Sequence, residues 1–134
     1  MSVTDAVQVA IVTALKADAP LTGMVSGRVL DHLPTDAPHP CISLGPEEWP
    51  QTWADCLDGV EGTVQIDIWS REPGRREAKG ITDRVAAILH GAELTLAGDY
   101  RAVSCEVILR RILRDPDGIT THGVVQVRIE ADAV

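Results

Sequence analysis

Residues Leu113–Ala131 read LRDPDGITTHGVVQVRIEA. This stretch joins two long β-like runs, Arg101–Arg114 and Ile119–Glu130. The four residues between the runs match a type I turn position by position: Asp115, Pro116, Asp117 and Gly118. The first acid accepts a backbone bond, the proline fixes φ, and the glycine takes a positive φ. We therefore predict a long antiparallel β-hairpin.

The same stretch contains residue types that bind metals. Asp115, Asp117 and His122 lie within eight positions of one another. A metal site needs convergent ligands, however, and by strand parity His122 falls with the polar residues of the outgoing strand. We expect a hairpin without a metal.

The length of the hairpin predicts a contact with another chain. Two runs of about twelve residues reach about 40 Å at roughly 3.3 Å per residue, whereas a usual strand has five or six residues. A small domain cannot cover that length. Arg110, Arg111 and Arg114 would supply charge for the contact.

The residues before the hairpin predict two helices and several strands. An apolar stripe from Val3 to Leu15 indicates an amphipathic helix, with Ser2 or Thr4 as cap and Pro20 as stop. PLTGMVSGRV is expected to form one short helical turn, and RVLDHLP and CISLG two short strands. TVQIDIWS is a half-buried strand, and REPGRREAKGITDRVAAILHG carries the second helix, capped by Gly91. ELTLAG is a short strand or turn.

These elements define the predicted fold class. They indicate one α+β domain over residues 1–134, with a mainly antiparallel sheet, two α-helices packed on it and the C-terminal hairpin. The segment Gly45–Gly62 has five acids, no base and no clear period, and is predicted to be a long loop. Its Trp49 and Trp53 are either core plugs or anchors of a protein interface.

Composition excludes several functions. The net charge of −8 disfavours a nucleic-acid binder. The first 60 residues carry eight acids against two bases, whereas the bases concentrate in the second half. Three cysteines without a C-x-x-C spacing predict reduced, buried thiols. No apolar run approaches the roughly 18 residues of a membrane span, and no signal peptide is apparent, so we expect a cytoplasmic protein.

Catalytic patterns are weak. His39 and Cys41 could form a Cys–His nucleophile. Ser43 does not fit the serine elbow pattern G-x-S-x-G, because position 41 is cysteine and not glycine. Nucleotide-loop and zinc-protease motifs do not occur, so we expect no enzyme and no cofactor. The bases between Arg71 and Arg84, Arg75 among them, form either a solvated helix face or an anion-binding face.

Five stretches together carry a family resemblance: DAPLTGMVSGRVLDHLP, PHPCISLG, QIDIWSREPGRREAKGITDRVAAILHG, LTLAG and RDPDGITTHGVVQVRIEA. In this order and over nearly the whole chain, they resemble the small tail-completion, or tail terminator, proteins of lambda-like tailed phages, prophages and gene-transfer agents. The resemblance implies a similar fold and a structural virion assembly protein. Such proteins form a hexameric ring that caps the tail tube and presents a surface to the head connector.

The resemblance also implies roles for particular residues. It implies scaffold or ring contacts at Trp69, Ser70, Arg71, Gly74, Arg75, Glu77, Ala78, Asp115, Pro116, Asp117, Gly118 and His122. The implied partners are further copies of the chain, the tail-tube protein and the head-connector or stopper protein. DNA would pass through the lumen without specific binding, which suits a net acidic chain. The implied location is the bacterial cytoplasm during assembly and then the head–tail junction of the particle.

Two alternatives remain open at this point. A head-side adaptor or stopper protein would also be small, acidic and ring-forming. A small Cys–His hydrolase built around Cys41 is a different class, and it predicts that Cys41→Ala abolishes an activity.

Overall fold

A five-stranded sheet with three helices forms the domain in the computed structural model, which describes residues 1–51 and 59–134. The helices are α1 (Val3–Ala17), α2 (Ala19–Val25) and α3 (Arg76–Leu89). The strands are β1 (Val29–Leu30), β2 (Cys41–Glu48), β3 (Gly59–Ser70), β4 (Tyr100–Arg114) and β5 (Thr121–Ala133). Their order in the sheet is β1-β2-β3-β5-β4, and β1–β2 is the parallel pair. The predicted α+β class, mainly antiparallel sheet and C-terminal hairpin are confirmed.

The helix count differs from the predicted two. The hydroxyl of Ser2 accepts the amide of Asp5 and caps α1, as expected. The carboxylate of Asp18 then accepts the amide of Leu21 at 3.0 Å and caps a further helix, in which Pro20 lies in the first turn. Proline is tolerated there because its missing N–H has no intrahelical partner. The expected single turn is therefore a seven-residue helix that begins at Ala19, and Pro20 is its second residue.

The core lies between the helices and one face of the sheet. Alternate residues of the central strands β3 and β5 point toward the helices and are buried: Val64, Ile66, Ile68, Val125, Val127 and Ile129. The stripe predicted on α3 packs against them through Ile81, Val85 and Leu89. Burial of each such side chain stabilises the fold by about 1.5–3 kcal/mol. Gly91, with φ of 71°, follows the end of α3 as predicted.

One segment differs from its predicted structure, and for ELTLAG one of the two predicted alternatives, the strand, is excluded. The expected loop Gly45–Gly62 is shorter, because β2 continues to Glu48 and β3 begins at Gly59. Pro46 argued against a strand here, because proline cannot donate a backbone hydrogen bond to a neighbouring strand. In the structure it lies where the register shifts between Leu44 and Glu47. A bulge near a sheet edge tolerates a residue without an N–H. ELTLAG forms no strand in the part of the chain that is described.

The hairpin places its two strands in different environments. β5 is central, paired with β3 on one side and β4 on the other. β4 lies at the edge, and of its fifteen residues Cys105 is the buried one. The part of the long hairpin that the domain itself does not cover is therefore the edge strand β4. Apolar side chains are exposed along it at Val103, Ile108 and Leu113.

Candidate interaction site

Asp115 and Asp117, the two acids that suggested a metal site, make hydrogen bonds within the turn of the hairpin. The amide of Gly118 donates to the carbonyl of Asp115 at 3.0 Å, and Gly118 has φ of 73°. Asp117 Oδ1 accepts the amides of Ile119 and Thr120, each at 2.8 Å, and its Oδ2 accepts the Thr120 hydroxyl at 2.7 Å. The bond from the Thr120 amide is the main reason that the pKa of Asp117 is lowered to about 2. Both acids thus hold the turn.

Two arginines support this turn from either side. Arg71 Nε donates to the Thr120 hydroxyl at 3.4 Å, a long bond, and Arg114 Nη1 donates to the carbonyl of Gly118 at 3.1 Å. The Thr121 hydroxyl also donates to the carbonyl of Gly74 at 3.3 Å. Arg71 and Arg114, predicted as interface residues, therefore have positions in which they brace the hairpin.

His122 belongs to a polar cluster on the outer face of the sheet, the face opposite the helices. Its Nε2 lies 2.7 Å from Asp67 Oδ1, and its ring stacks on Trp69 with centroids 4.0 Å apart and planes 9° from parallel. Trp69 Nε1 donates to the Ser43 hydroxyl at 2.9 Å, and Gln65 Nε2 donates to Asp67 at 2.8 Å. The cluster joins β2, β3 and β5 on this face.

The sequence did not identify Asp67 as the partner of His122, or Ser43 as the partner of Trp69. The alternation of residues along TVQIDIWS places Asp67 and Trp69 on the same side of β3. The pairing of Trp69 with His122, 53 positions later, depends on the register of β3 against β5, and local sequence does not contain it. The side chain of Asp67 is 8% exposed and that of His122 is 16% exposed, so the pair is a mostly desolvated one.

The free edge of β4 is capped at Cys105 and Val107. The amide of Gly91 donates to the carbonyl of Cys105 at 2.8 Å, and His90 Nδ1 accepts the amide of Val107 at 3.1 Å. These bonds cap two of the backbone groups that β4 turns away from β5. Beyond Val107 the described residues supply no such cap, and the segment Ile108–Arg114 is an open sheet edge.

The open edge carries three of the predicted interface arginines. Arg110 reaches Asp83 of α3 at 3.3 Å through an exposed ion pair, and Arg111 and Arg114 are exposed. Beside them, α3 and β4 enclose an open groove of about 570 Å³, lined by Ala86, Ala87, His90, Val107 and Ile108. The groove and the edge form one continuous surface.

The bases of α3 divide into structural and exposed groups. Arg84 makes a bidentate pair with Asp18, with distances of 2.9 and 2.6 Å, and its guanidinium lowers the pKa of that carboxyl. This bond ties α3 to the cap of α2. Arg75 lies at the N-terminal cap of α3 and is exposed. The helix therefore presents a mixed, solvated surface.

Trp49 is partly buried in the structure. Its ring lies over Gly62 so closely that a Cβ there would overlap it, and it packs against the core. Its Nε1 donates to Glu47 at 3.0 Å. This geometry favours the core-plug alternative for Trp49. Trp53, its predicted companion, lies outside the described residues.

Cys41 lacks the features of a nucleophile. It is fully buried, and that burial raises the pKa of its thiol. A reactive cysteine needs a lowered pKa and access to substrate. Burial also lowers the pKa of His39. Cys105 is buried too, as predicted for a reduced thiol.

Residues 1–51 and 59–134 hold no group of three or more His, Cys, Asp or Glu side chains able to bind a metal ion. They also form no helix long and apolar enough to cross a membrane.

The chain is similar in sequence and in fold to proteins of phage tails and gene transfer agents. The chain is 29% identical over 123 residues to tail completion protein gp17 of Bacillus phage SPP1, covering 92% of this chain and 90% of that protein. It superposes on a chain from the virion of a native gene transfer agent particle with a TM-score of 0.89, 25% identity and 98% coverage of both chains. The structure of SPP1 gp17 matches with a TM-score of 0.62 and 26% identity, over 94% of this chain and 88% of that one.

The family model provides the assignment. Residues 9–131 match the model of tail completion protein gp17, which is most of the described sheet and all of α2 and α3. The chain therefore belongs to the tail completion protein gp17 family.

Proposed function

We propose that this protein is the subunit of a ring, hexameric as the family resemblance implies, that ends the tail tube and joins it to the head connector. The observation that carries the proposal is the superposition, over 98% of both chains, on a chain of a gene transfer agent virion. A match of that extent supports a place in the assembled particle. Its family makes the protein a structural component of tail completion.

The surface of the domain supports contacts between copies. The base-bearing edge of β4 lies at one end of the sheet, and the exposed acids Glu47 and Glu48 lie on β2 toward the other. When unlike patches meet between copies, the contact is heterologous and repeats until a ring closes. Opposite charges on the two patches favour that arrangement over a symmetric dimer.

The predicted interface residues contribute unequally to this proposal. Arg110 and Arg111 on β4, and Arg75 at the N-terminal cap of α3, are exposed and suited to contact a neighbouring copy or the tube. Arg71, Arg114 and His122 bond within the chain and would position the hairpin for such contacts. Trp53 stays a proposed anchor for the tail-tube or head-connector protein.

The lumen and the location follow from the same proposal. A net charge of −8 would let DNA slide through a ring without strong phosphate binding. The subunit would be made in the bacterial cytoplasm and end at the head–tail junction.

The experiment is a measurement of the mass of the purified protein in solution, alone and after mixing with its tail-tube protein. A hexamer, or a monomer that becomes a ring on the tube end, supports the terminator function. A monomer that ignores the tube but binds the head connector would move the assignment to a head-side adaptor. A rigorous negative control is the tube protein without this chain, which should continue to polymerise.

Catalysis is tested separately through Cys41. The structural function predicts that Cys41→Ala assembles like the wild type and loses only modest stability, since the removed thiol is a small buried group. A Cys–His hydrolase predicts an activity that this variant lacks.

A further inference from the structure

The two edges of the sheet differ in charge and in how far they are covered. At one edge, the caps from His90 and Gly91 end at Val107 and leave Ile108–Arg114 open. At the other edge, β1 pairs with β2 only at Ile42 and Ser43. In the described chain the rest of β2, ending in Glu47 and Glu48, has no strand on its outer side.

The ladder alternation identifies which backbone groups of β4 face outward. Val107 directs its amide outward to His90, and it pairs with Val127. After the bulge between Val107 and Leu109, Arg110 pairs with Val125. Val125 and Val127 lie two residues apart on β5, which has no bulge here, so both point their backbone groups to the same side. Because hydrogen-bonded and non-bonded pairs alternate along a ladder, Arg110, Ile112 and Arg114 turn their N–H and C=O groups away from β5. The amide of Asp115, next in line, donates to Thr120 across the hairpin, which agrees with this alternation.

We propose that the open edge Ile108–Arg114 of one copy receives the acidic end of β2, Leu44–Glu48, from the next copy. The contact adds a strand to the sheet through main-chain bonds at Arg110 and Ile112, with pairing of arginines and glutamates across it. The proposal rests on the ring proposed above and names its interface.

Charge selects this occupant among the segments of a second copy. Pairing of β4 with β4 would place Arg110, Arg111 and Arg114 against their own kind, which is destabilising. Leu44–Glu48 brings two exposed carboxylates and no base. Since the two edges lie at opposite ends of one sheet, their contact is head-to-tail and propagates around a ring.

The first test exchanges charges. Arg111→Glu and Glu48→Arg should each weaken self-association at least tenfold, measured by sedimentation of the full chain alone and with the tail-tube protein. The double variant Arg111→Glu/Glu48→Arg should recover association, because it restores opposite charges across the contact. Lys79→Glu, an equal charge change on the exposed surface of α3, is the control and should associate like the wild type.

The second test removes one main-chain donor. Arg110→Pro deletes an amide that faces outward, so the isolated domain should keep its circular dichroism spectrum while its association falls at least tenfold. Arg110→Ala loses the same charge but keeps the amide, and it should associate more strongly than Arg110→Pro. Equal association of these two variants would overturn main-chain pairing.

The outcomes separate this interface from the ring itself. A ring that forms equally with Arg111→Glu overturns the edge interface and leaves the proposed function standing; the arginines would then only protect the edge from aggregation. Loss in the single variants without recovery in the double variant overturns β2 as the occupant. A wild-type chain that stays monomeric, alone and with the tube protein, overturns both proposals.

Discussion

The Nε2 atom of His122 lies 2.7 Å from Oδ1 of Asp67, and the two residues meet from positions 55 apart in the chain. Asp67 is the more buried partner, and its second neighbour is the amide of Gln65. The ring of Trp69 covers one face of the imidazole. Removal of one partner from such a pair leaves a desolvated group unsatisfied, which costs more than the bond itself contributes.

We therefore expect His122→Ala to lower the free energy of unfolding by about 2 kcal/mol. The loss combines a buried carboxylate that keeps the bond from Gln65 but loses the one to His122 with a lost ring stack. Urea unfolding followed by tryptophan fluorescence measures it. The control is Gln126→Ala on the same strand and face, which removes a long 3.3 Å bond to Gln65 and should cost about 0.5 kcal/mol. Equal losses in the two variants would contradict a special role for the pair.

A second prediction concerns the contact between α3 and β5 at Gly123. A Cβ at this position would overlap the hydroxyl of Thr82 and come within 3.2 Å of Ile68 Cβ. Thr82 Oγ1 is itself buried without a hydrogen-bond partner within the described part of the chain. Gly123→Ala should cost about 1–3 kcal/mol through overpacking.

The double variant Gly123→Ala/Thr82→Ala should recover most of that loss, since the second change removes the obstructing hydroxyl. The two effects are therefore expected to be non-additive by about 1 kcal/mol or more in urea unfolding. Gly80→Ala, on α3 with open space around it, is the control and should stabilise the helix by about 0.5–1 kcal/mol. Strictly additive losses would contradict the steric explanation.

The sequence predicted those elements that depend on residues close together in the chain. The turn Asp115–Gly118, the alternation in TVQIDIWS and the apolar stripe of α3 each follow from neighbouring residues, and the structure has them as expected. Pro20 is ambiguous by the same rules, because proline both stops one helix and starts another. The capping carboxylate of Asp18 decides between these possibilities.

Contacts that depend on register or packing were not predictable in this way. Asp67 with His122, and Asp18 with Arg84 across 66 positions, form only after strands and helices are assembled. The caps on β4 from His90 and Gly91 are of the same kind. The sequence indicated a long hairpin with arginines, but not which half of its edge stays open.

A third prediction follows from the lowered pKa of Asp117. Its folded pKa of about 2 lies below the ordinary value of 3.8, mainly because the Thr120 amide donates to the carboxylate. The stabilisation is therefore complete above about pH 4 and declines as the pH falls toward 2. We expect the thermal unfolding midpoint of Asp117→Asn to lie below that of the wild type at pH 7. The gap should narrow between pH 4 and pH 3, and a constant gap would contradict the assignment.

The fourth prediction separates strain from space at the turn glycine. Gly118 has φ of 73°, and no heavy atom lies within 4 Å of where its Cβ would be. A side chain there meets no obstacle, so any loss of stability comes from the backbone conformation. Gly118→Val should cost about 1–2 kcal/mol in urea unfolding, because a β-branched residue tolerates the left-handed region poorly. Gly118→Asn, which adopts that region more readily, should cost clearly less.

The same pair of variants tests whether the hairpin tip contributes to association between copies. If it does, Gly118→Val should reduce the fraction of protein in rings as the turn distorts, and Gly118→Asn should reduce it less. Sedimentation at matched concentrations measures both. Unchanged stability and unchanged rings in Gly118→Val would contradict the strain argument and the contact together. Lowered stability with intact rings would place the contact along the β4 edge, away from the tip.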